Sequence, residues 1–349
     1  MGSKIRVVLA DDSPTVRYHL AHIIDSAPDM VVVGEAQNGV DVIQLVSDLE
    51  PDVVSMDINM PDMDGLEATR QIMTQSPTPI VVVSSLLDID VQLSLKAIEA
   101  GALAVVGKPS AQQNPTFADE QRHMLKVLRA MAGVKVISRR QLRYLDAPEI
   151  ITDTPRQKRH LSTELIVIGA STGGPRALLQ LLRGLPDEPI APIVIVQHMP
   201  EEFIAGLVQW LTSATGQQVF VAQDGQALQS GMILIAPGHA HLTIERANGH
   251  LVNHLHDAPT GSRYTPSIDA LFTSVARTVG EQAIGVILTG MGDDGARGLR
   301  AMYDAGAMTI AQDELSATVY GMPRAAVAEG AARYVVALEN LATQIKKLL

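Results

Sequence analysis

The sequence predicts an α/β protein of two domains, each built on a doubly wound parallel sheet. Short aliphatic runs alternate with segments of helical periodicity along most of the chain, and these runs lack the polar alternation of a sheet with one wet face. The chain has 349 residues, of which 46 % are hydrophobic, and this is enough for two ordinary domains with separate cores. We therefore expect helices on both faces of each sheet.

The first predicted domain covers residues 1–130. It contains five aliphatic runs, each followed by a helical segment, and its last helix is the amphipathic stretch FADEQRHMLKVLRAMAG. Consecutive β–α units of this kind are typical of a doubly wound sheet. The runs are IRVVLA, MVVVGEA, DVVSMDI, PIVVVSS and ALAVVGKP.

Residues 131–160 are predicted to form an interdomain linker, because they are charged, carry two prolines and hold few aliphatic residues in sequence. A helical turn around Leu142 fits this segment. The second predicted domain covers residues 161–349, where a new β–α series begins. Within it, Asn248-Gly249 stands between two alternating runs and predicts a β-hairpin.

Composition excludes several classes of function. The chain has no cysteine, which excludes disulfides, thiolate metal sites and a cysteine nucleophile. A formal net charge of −11 argues against a nucleic-acid partner. No apolar run approaches the ~20 residues that span a bilayer, and the N-terminus lacks the apolar core of a signal peptide. We expect a cytoplasmic protein without membrane insertion.

Acidic residues follow two strands of the first predicted sheet. Asp11 and Asp12 follow the first run, and Asp57 follows the third, at the edge where such sheets bind ligands. Close carboxylates are costly unless a cation neutralises them, and an all-oxygen site favours Mg²⁺. Ser84 ends the fourth run and Lys108 follows the fifth. This pattern predicts a site that transfers a phosphoryl group to Asp57.

These segments strongly resemble the receiver domain of two-component response regulators, over about residues 4–130, through ADD, MDINMPDMDGLEATR, VSS and GKP. The resemblance implies a flavodoxin-like fold. Val105 departs from the family, because many receivers carry an aromatic switch residue there. The matching positions are Asp57 for the phospho-acceptor, Asp11 and Asp12 for the metal-binding acids, Asn59 for a backbone carbonyl ligand, Ser84 for the hydroxyl that senses the phosphoryl group, and Lys108 for its partner.

The stretch GASTGGP poses the question of whether Ser171 is a nucleophile or a helix-capping residue. Pro175 suits the first turn of a helix, so capping is a natural interpretation. A serine nucleophile needs a base within reach and an acid that orients the base. His198 ends the next run, and the acidic pair Asp293-Asp294 follows a later one. We predict that Ser171 starts the helix and also points its hydroxyl at His198.

Two other interpretations of this half concern the histidines. An α/β-hydrolase places the acid before the histidine, whereas here His198 precedes Asp294. A zinc site near the hairpin is conceivable, but neither cysteine nor an acid at ligand spacing accompanies the histidines. His241 is also a candidate for lining the cleft. The hairpin histidines are His239, His241, His250, His254 and His256.

Residues 161–349 resemble the catalytic domain of the chemotaxis protein-glutamate methylesterase family, CheB. The matching motifs are GASTGGP, VIVQHMP, APGHAHL, YTPSIDALF and ILTGMGDDGARGL. The resemblance implies a Rossmann-like methylesterase domain with a β-hairpin. It assigns Ser171 as the nucleophile, His198 as the general base and then acid, and Asp294 as the orienting acid, with Asp293 at a variable position. It also implies that Thr172 and the backbone N–H of Met291 contact the oxyanion.

The two resemblances together imply a phosphorylation-activated hydrolase for sensory adaptation in a chemotaxis or chemotaxis-like pathway. Its substrates would be glutamyl methyl esters, and also glutamines, on the cytoplasmic domain of methyl-accepting chemoreceptors. A chemotaxis histidine kinase would be the phosphodonor, with Mg²⁺ at the receiver site and no cofactor for the esterase reaction. The unphosphorylated receiver would pack over the catalytic face. Two alternatives stay open: a second domain that only binds a partner, and an esterase for a small molecule.

Overall fold

The structure is a computed structural model that describes residues 4–84, 91–111, 113–134, 150–151, 162–186, 191–259 and 262–349. The chain divides into two compact units, Met1–Asp146 and Ala147–Leu349. Both units are α/β with a parallel sheet, so the predicted fold class is confirmed. Most of the predicted linker, including the turn around Leu142, lies outside the described residues. No helix in the described ranges is both long and apolar enough to cross a membrane.

The first unit contains a five-stranded parallel sheet in the order β2-β1-β3-β4-β5. Its strands are the five predicted runs: β1 (Ile5–Ala10), β2 (Met30–Ala36), β3 (Val53–Met56), β4 (Ile80–Ser84) and β5 (Ala104–Gly107). Its helices are α1 (Pro14–Ser26), α2 (Gly39–Leu49), α3 (Gly65–Gln75), α4 (Val91–Ala100) and α5 (Phe117–Ala132).

The order of these strands brings the predicted acidic residues together. Strands β3 and β4 are buried along their whole length, as their unbroken aliphatic sequences predict. Ala10 at the end of β1 is in register with Met56 at the end of β3. The residues that follow these two strands, Asp11 and Asp57, are therefore neighbours at the carboxyl edge of the sheet.

The second unit contains an eight-stranded sheet in the order β6-β16-β15-β14-β7-β8-β11-β9. Its strands are β6 (Ile150–Ile151), β7 (Leu165–Ala170), β8 (Ile193–Gln197), β9 (Val219–Val221), β11 (Ile233–Ile235), β14 (Ala283–Ile287), β15 (Met308–Gln312) and β16 (Tyr334–Val336). The helices are α6 (Gly174–Gly184), α7 (Glu201–Thr215), α8 (Ile268–Thr278), α9 (Ala296–Asp304), α10 (Met322–Ala328) and α11 (Leu338–Leu348).

The predicted hairpin is confirmed. It consists of β12 (Ala240–Ala247) and β13 (His250–Asp257), and its two turn residues have φ values of 51° at Asn248 and 83° at Gly249. Asparagine and glycine tolerate this left-handed conformation, which suits a two-residue hairpin turn. A short strand, β10 (Gln226–Ala227), joins the hairpin in a three-stranded antiparallel sheet.

Two short edge elements were not predicted. β6 lies inside the predicted linker and pairs antiparallel with β16, and β10 pairs antiparallel with β13. Each has only two residues, which is too short to show the alternation that identifies a strand in a sequence.

The centre of the large sheet positions the residues of interest. Strands β7, β8 and β14 are buried along their whole length. Ala170 is in register with Gln197, and Gly169 with Ile287, so these three neighbouring strands end at the same edge. Ser171 and His198 are the next residues after β7 and β8 and therefore lie at adjacent strand ends.

Candidate functional site

Three carboxylates meet at the carboxyl edge of the first sheet. Asp11, Asp12 and Asp57 each offer one oxygen, and these oxygens lie within 4.8 Å of one another. Asp11 and Asp57 are buried, whereas Asp12 is exposed. An all-oxygen donor set of this kind, with two buried like charges, fits Mg²⁺. Asn59, the fourth predicted ligand, lies in an exposed position just beyond Asp57.

Lys108 belongs to the same cluster. Its Nζ lies 2.7 Å from Asp11 Oδ2 and 3.0 Å from Asp57 Oδ2. Burial raises the pKa of Asp57, and Lys108 only partly offsets this effect. For Lys108 itself burial acts to lower the pKa, but hydrogen bonds and charges from the two carboxylates outweigh it and raise the pKa. The charge on Asp57 therefore carries a cost that an added cation would relieve.

Ser84 and Val105 are the other two positions of this unit that the receiver resemblance singled out. Ser84 is buried at the end of β4, and its carbonyl accepts a hydrogen bond of 2.7 Å from the Lys108 backbone N–H. Val105 is half-buried and packs against the aliphatic core of the unit. Ser84, the residue with the predicted hydroxyl, therefore ends the strand that pairs with β3, and Asp57 follows β3.

In the second unit, Ser171 occupies a turn between β7 and α6. Its N–H donates to Thr289 O at 3.0 Å, and its carbonyl accepts from Gly174 N–H at 2.8 Å. Helix α6 is preceded by Gly173, which has a φ of 79° and serves as its N-cap without a side-chain bond. The prediction that Ser171 starts the helix is therefore wrong, because the glycine turn makes this transition. The Ser171 hydroxyl forms no hydrogen bond within the described part of the chain and stays available.

His198 lies beside Ser171 and is paired with an acid. Its N–H donates to Ala170 O at 3.0 Å, which continues the ladder between β7 and β8. Its Nε2 lies 2.9 Å from Asp294 Oδ2. No hydrogen bond joins Ser171 to His198 among the described residues, although apo sites often tighten such bonds only when substrate binds.

Asp294 is held at the N-terminus of α8. The carboxylate accepts N–H bonds from Ile268 at 2.7 Å and Asp269 at 3.0 Å, and a hydroxyl bond from Ser267 at 3.0 Å. Burial acts to raise the pKa of Asp294, but the hydrogen bonds from His198, Asp269 and Ile268 outweigh it and hold the pKa below the usual range. A helix N-terminus favours negative charge, so this acid is ionised beside His198.

Asp293, the preceding residue, faces a different environment. Its side chain is 58 % exposed and forms an ion pair with Arg263, Nη1 to Oδ1, at 3.0 Å. Tyr264 donates its hydroxyl to Asp293 at 3.2 Å. The structure therefore turns Asp294 toward His198 and Asp293 toward solvent.

Tyr264 is a neighbour of His198 that the sequence did not single out. The two rings are stacked, with centroids 5.0 Å apart and an interplanar angle of 6°. Gly292, with a φ of 97°, makes room for Tyr264, because a Cβ there would lie 2.4 Å from the Tyr264 hydroxyl. The stack covers one face of the imidazole. Only the position of Tyr264 inside YTPSIDALF offered a signal for this role.

His241, which was predicted to line the cleft, contacts Asp294 indirectly through Ser267. Its Nδ1 accepts the Ser267 N–H at 3.0 Å, and Ser267 in turn donates to Asp294. Burial lowers the pKa of His241, which the negative charge of Asp294 only partly opposes. His241 is therefore neutral near pH 7, as its role of acceptor requires.

The predicted oxyanion contacts lie next to Ser171. Thr289 donates its hydroxyl to Thr172 O at 2.9 Å, which holds the turn from the β14 side. A Cβ at Gly290 would lie only 2.7 Å from Ser171 Cβ, so the segment leading to Met291 passes close to Ser171. In the described ranges the N–H groups of Thr172 and Met291 have no acceptor. Both are free to donate to a bound oxygen.

The hairpin histidines form other contacts. His254 Nδ1 lies 3.4 Å from Asp224 Oδ1, and His256 Nε2 lies 2.7 Å from Thr243 Oγ1. As far as the structure describes the chain, these histidines belong to no group of three side chains that could hold a metal ion. The conceivable zinc site therefore has no geometric support there.

Comparison with known proteins gives matches to both halves and to the whole chain. Two family models match: CheB methylesterase over residues 166–345 and response regulator receiver domain over residues 7–116. The protein-glutamate methylesterase/protein-glutamine glutaminase 4 of Myxococcus xanthus is 44 % identical over 343 residues, which covers 98 % of this chain and 96 % of that protein. A relative of the same name, numbered 1, from Syntrophus aciditrophicus is 42 % identical over 99 % of this chain and 98 % of its own.

The chain also resembles proteins of solved structure. The crystal structure of the CheB methylesterase catalytic domain of Thermotoga maritima matches with a TM-score of 0.52 and 36 % identity. The match covers 54 % of this chain and 100 % of that one. The similarity therefore extends over the entire length of that catalytic domain.

Proposed function

The chain belongs to the CheB methylesterase family, and from that premise we propose that it is a phosphorylation-activated enzyme that demethylates chemoreceptors for sensory adaptation. Membership makes it a carboxylic ester hydrolase of the protein-glutamate methylesterase type, with protein-glutamine deamidase activity. The observation that carries the proposal is the hydrogen bond between His198 and the buried carboxylate of Asp294, at the strand end next to Ser171.

We assign the chemistry of the ester to these three residues. Ser171 Oγ attacks the carbonyl carbon of a glutamyl methyl ester and gives its proton to His198. Because Asp294 holds Nε2, the ring nitrogen left to accept this proton is Nδ1. Negative charge develops on the carbonyl oxygen, where the N–H groups of Thr172 and Met291 would each stabilise it by roughly 3–4 kcal/mol.

The products follow from the return of the proton. The C–O bond to the methoxy group breaks, and His198 gives the proton to the departing oxygen, so methanol leaves. Water then attacks the Ser171 ester with His198 as its base, which releases the serine and leaves a glutamate carboxylate. A direct attack by water yields the same products without an ester on Ser171. With a glutamine substrate, ammonia leaves in place of methanol.

Control of this reaction is assigned to the first unit. A chemotaxis histidine kinase would supply the phosphoryl group, and Asp57 would accept it. Mg²⁺ held by Asp11, Asp12, Asp57 and the Asn59 carbonyl would neutralise charge on that group. Lys108, already in contact with Asp57, would pair with the phosphoryl oxygens, and Ser84 would contact them from β4.

The test is methanol release from a methylated chemoreceptor cytoplasmic fragment, with and without acetyl phosphate. We expect release by the wild type, higher release with acetyl phosphate, no release above background by Ser171→Ala, and no response to acetyl phosphate in Asp57→Ala. Ser213→Ala, which removes a hydroxyl on the solvent side of α7, is the matched control and should behave as the wild type.

Two outcomes would contradict the proposal. Hydrolysis of small methyl esters without any release from receptor fragments would favour the esterase alternative. The absence of Ser171-dependent hydrolysis of any ester would favour a second domain that only binds a partner.

A further inference from the structure

Gln197 is the last residue of β8 and directly precedes His198, and its side chain reaches the turn that carries Ser171. It is 1 % exposed. Its Nε2 donates to Ser171 O at 2.9 Å and to His198 O at 3.0 Å. Both hydrogens of this amide are therefore used on the carbonyls of the proposed nucleophile and the proposed base.

Burying the Gln197 amide costs free energy of folding, and the need to fill this space does not explain why a polar residue is present. The rest of β8 is aliphatic, and a methionine at position 197 would fill the same volume without burying an amide. Gln197 Oε1 is buried and has no hydrogen-bond partner among the described residues. Gly174 makes room for it, because a Cβ at Gly174 would lie 2.0 Å from Oε1. The unpaired, buried Oε1 of Gln197 therefore makes this side chain less stable in its place than an apolar one would be.

The geometry of the peptide bond links Gln197 to the oxyanion. The peptide unit between Ser171 and Thr172 is planar and trans, so its C=O and N–H point in opposite directions. A bond that fixes the Ser171 carbonyl therefore also fixes the direction of the Thr172 N–H. That N–H has no acceptor in the described ranges and is one of the two proposed donors to the oxyanion.

We propose that Gln197 is a positioning residue for the esterase reaction: its amide aims the Thr172 N–H at the oxyanion and holds His198 beside Ser171. This inference rests on the proposed function. Because a donor to the oxyanion acts mainly in the transition state, loss of the Gln197 amide should lower kcat and leave KM nearly unchanged.

The chain offers a matched control in Gln217. This residue is 2 % exposed, and its Nε2 also donates to two backbone carbonyls, Leu182 at 2.9 Å and Pro186 at 3.1 Å. Its Oε1 is likewise buried without a partner among the described residues. Leu182 lies in the last turn of α6 and Pro186 just after the helix, so Gln217 makes the same kind of bonds without touching the residues of the proposed site.

The experiment measures kcat and KM for methanol release by Gln197→Met and Gln217→Met in the full chain, together with the midpoint of thermal unfolding. We expect both substitutions to lower the midpoint, and only Gln197→Met to lower kcat, by ~10- to 100-fold with KM changed less than ~2-fold. An unchanged kcat in Gln197→Met, or an equal loss of kcat in Gln217→Met, would overturn the inference.

Two further comparisons keep the test decisive. If Gln197→Met does not fold, Gly174→Ala displaces the same amide from the other side, and Gly184→Ala in the same helix is its control, since a Cβ there meets only Ala342 at 2.6 Å. Gly174→Ala should then lower kcat and Gly184→Ala should not; equal values would overturn the inference. Ser171→Ala is measured in parallel, because wild-type activity in that variant would instead refute the proposed function.

Discussion

His198 and Asp294 are joined by a hydrogen bond of 2.9 Å between Nε2 and Oδ2, although 96 positions separate them in the chain. Asp293, the residue before Asp294, is turned away from the histidine and pairs with Arg263. The two acids differ because the N-terminus of α8 donates two backbone N–H groups to Asp294 and so holds it beside His198. The surroundings of the two adjacent carboxylates therefore make Asp294 the partner of His198 and leave Asp293 in an ion pair at the surface.

The stack of Tyr264 on His198 should support the orientation of the imidazole. Aromatic pairs contribute roughly 0.5–1.5 kcal/mol beyond the area that they bury. We therefore expect Tyr264→Leu to lower kcat for methanol release by ~2- to 10-fold. Tyr264→Phe, which keeps the ring and loses only the bond to Asp293, should stay within ~2-fold of the wild type. Equal activity of the two variants would show that the stack has no such role.

His241 should make the stability of the second unit depend on pH. Burial lowers its pKa in the folded state, so below the unfolded value of ~6.5 the unfolded chain binds more protons than the folded one. Stability should therefore fall as pH decreases from about 7 to 5. The amide oxygen of Asn in His241→Asn can accept the Ser267 N–H but does not titrate in this range. The part of the stability loss that comes from protonation of His241 should therefore be absent in this variant.

Thermal unfolding followed by the fluorescence of Trp210, the only tryptophan of the chain, measures the effect of His241 within the second unit. The wild type and His241→Asn are compared at pH 7, 6 and 5. His250→Asn, at the exposed turn of the hairpin, is the control and should follow the wild type. The same pH dependence in all three proteins would contradict the prediction.

Phosphoryl transfer to the first unit should depend on Asp57 and on a divalent cation. We expect acetyl phosphate with Mg²⁺ to add one phosphoryl group to the wild type, and EDTA to prevent it, since the carboxylate cluster needs a cation to accept more negative charge. Asp57→Asn should take up none, while Asp48→Asn, on the exposed side of α2, should behave as the wild type. Intact-protein mass spectrometry measures the uptake, and phosphorylated Asp57→Asn would contradict the assignment.

Much of the fold followed from local patterns in the sequence. The central strands are buried on both faces, so their aliphatic runs identified them, and the ends of those runs located Ser171 and His198. The turn of the hairpin followed from Asn248-Gly249, whose positive φ values few other residues adopt. In these cases the information lies within a few neighbouring residues.

Features that depend on distant contacts could not be predicted in this way. The stack of Tyr264 on His198 joins two loops that are far apart in sequence. The position of Gln197 at the end of a buried strand was visible, but its two carbonyl partners became apparent only in the folded sheet. The capping role expected of Ser171 failed because Gly173, a residue free to adopt positive φ, forms the turn before the helix.

The most direct test of the account compares Asp294→Asn with Asp293→Asn in methanol release from a methylated receptor fragment. Replacing the orienting acid of a serine triad by its amide lowers kcat by about 10⁴-fold in a well-studied protease, because the imidazole adopts the wrong tautomer. We predict a loss of ~10³- to 10⁴-fold for Asp294→Asn and a change below ~3-fold for Asp293→Asn. A larger loss in Asp293→Asn, or full activity in Asp294→Asn, would contradict the assignment of Ser171, His198 and Asp294 as the catalytic group.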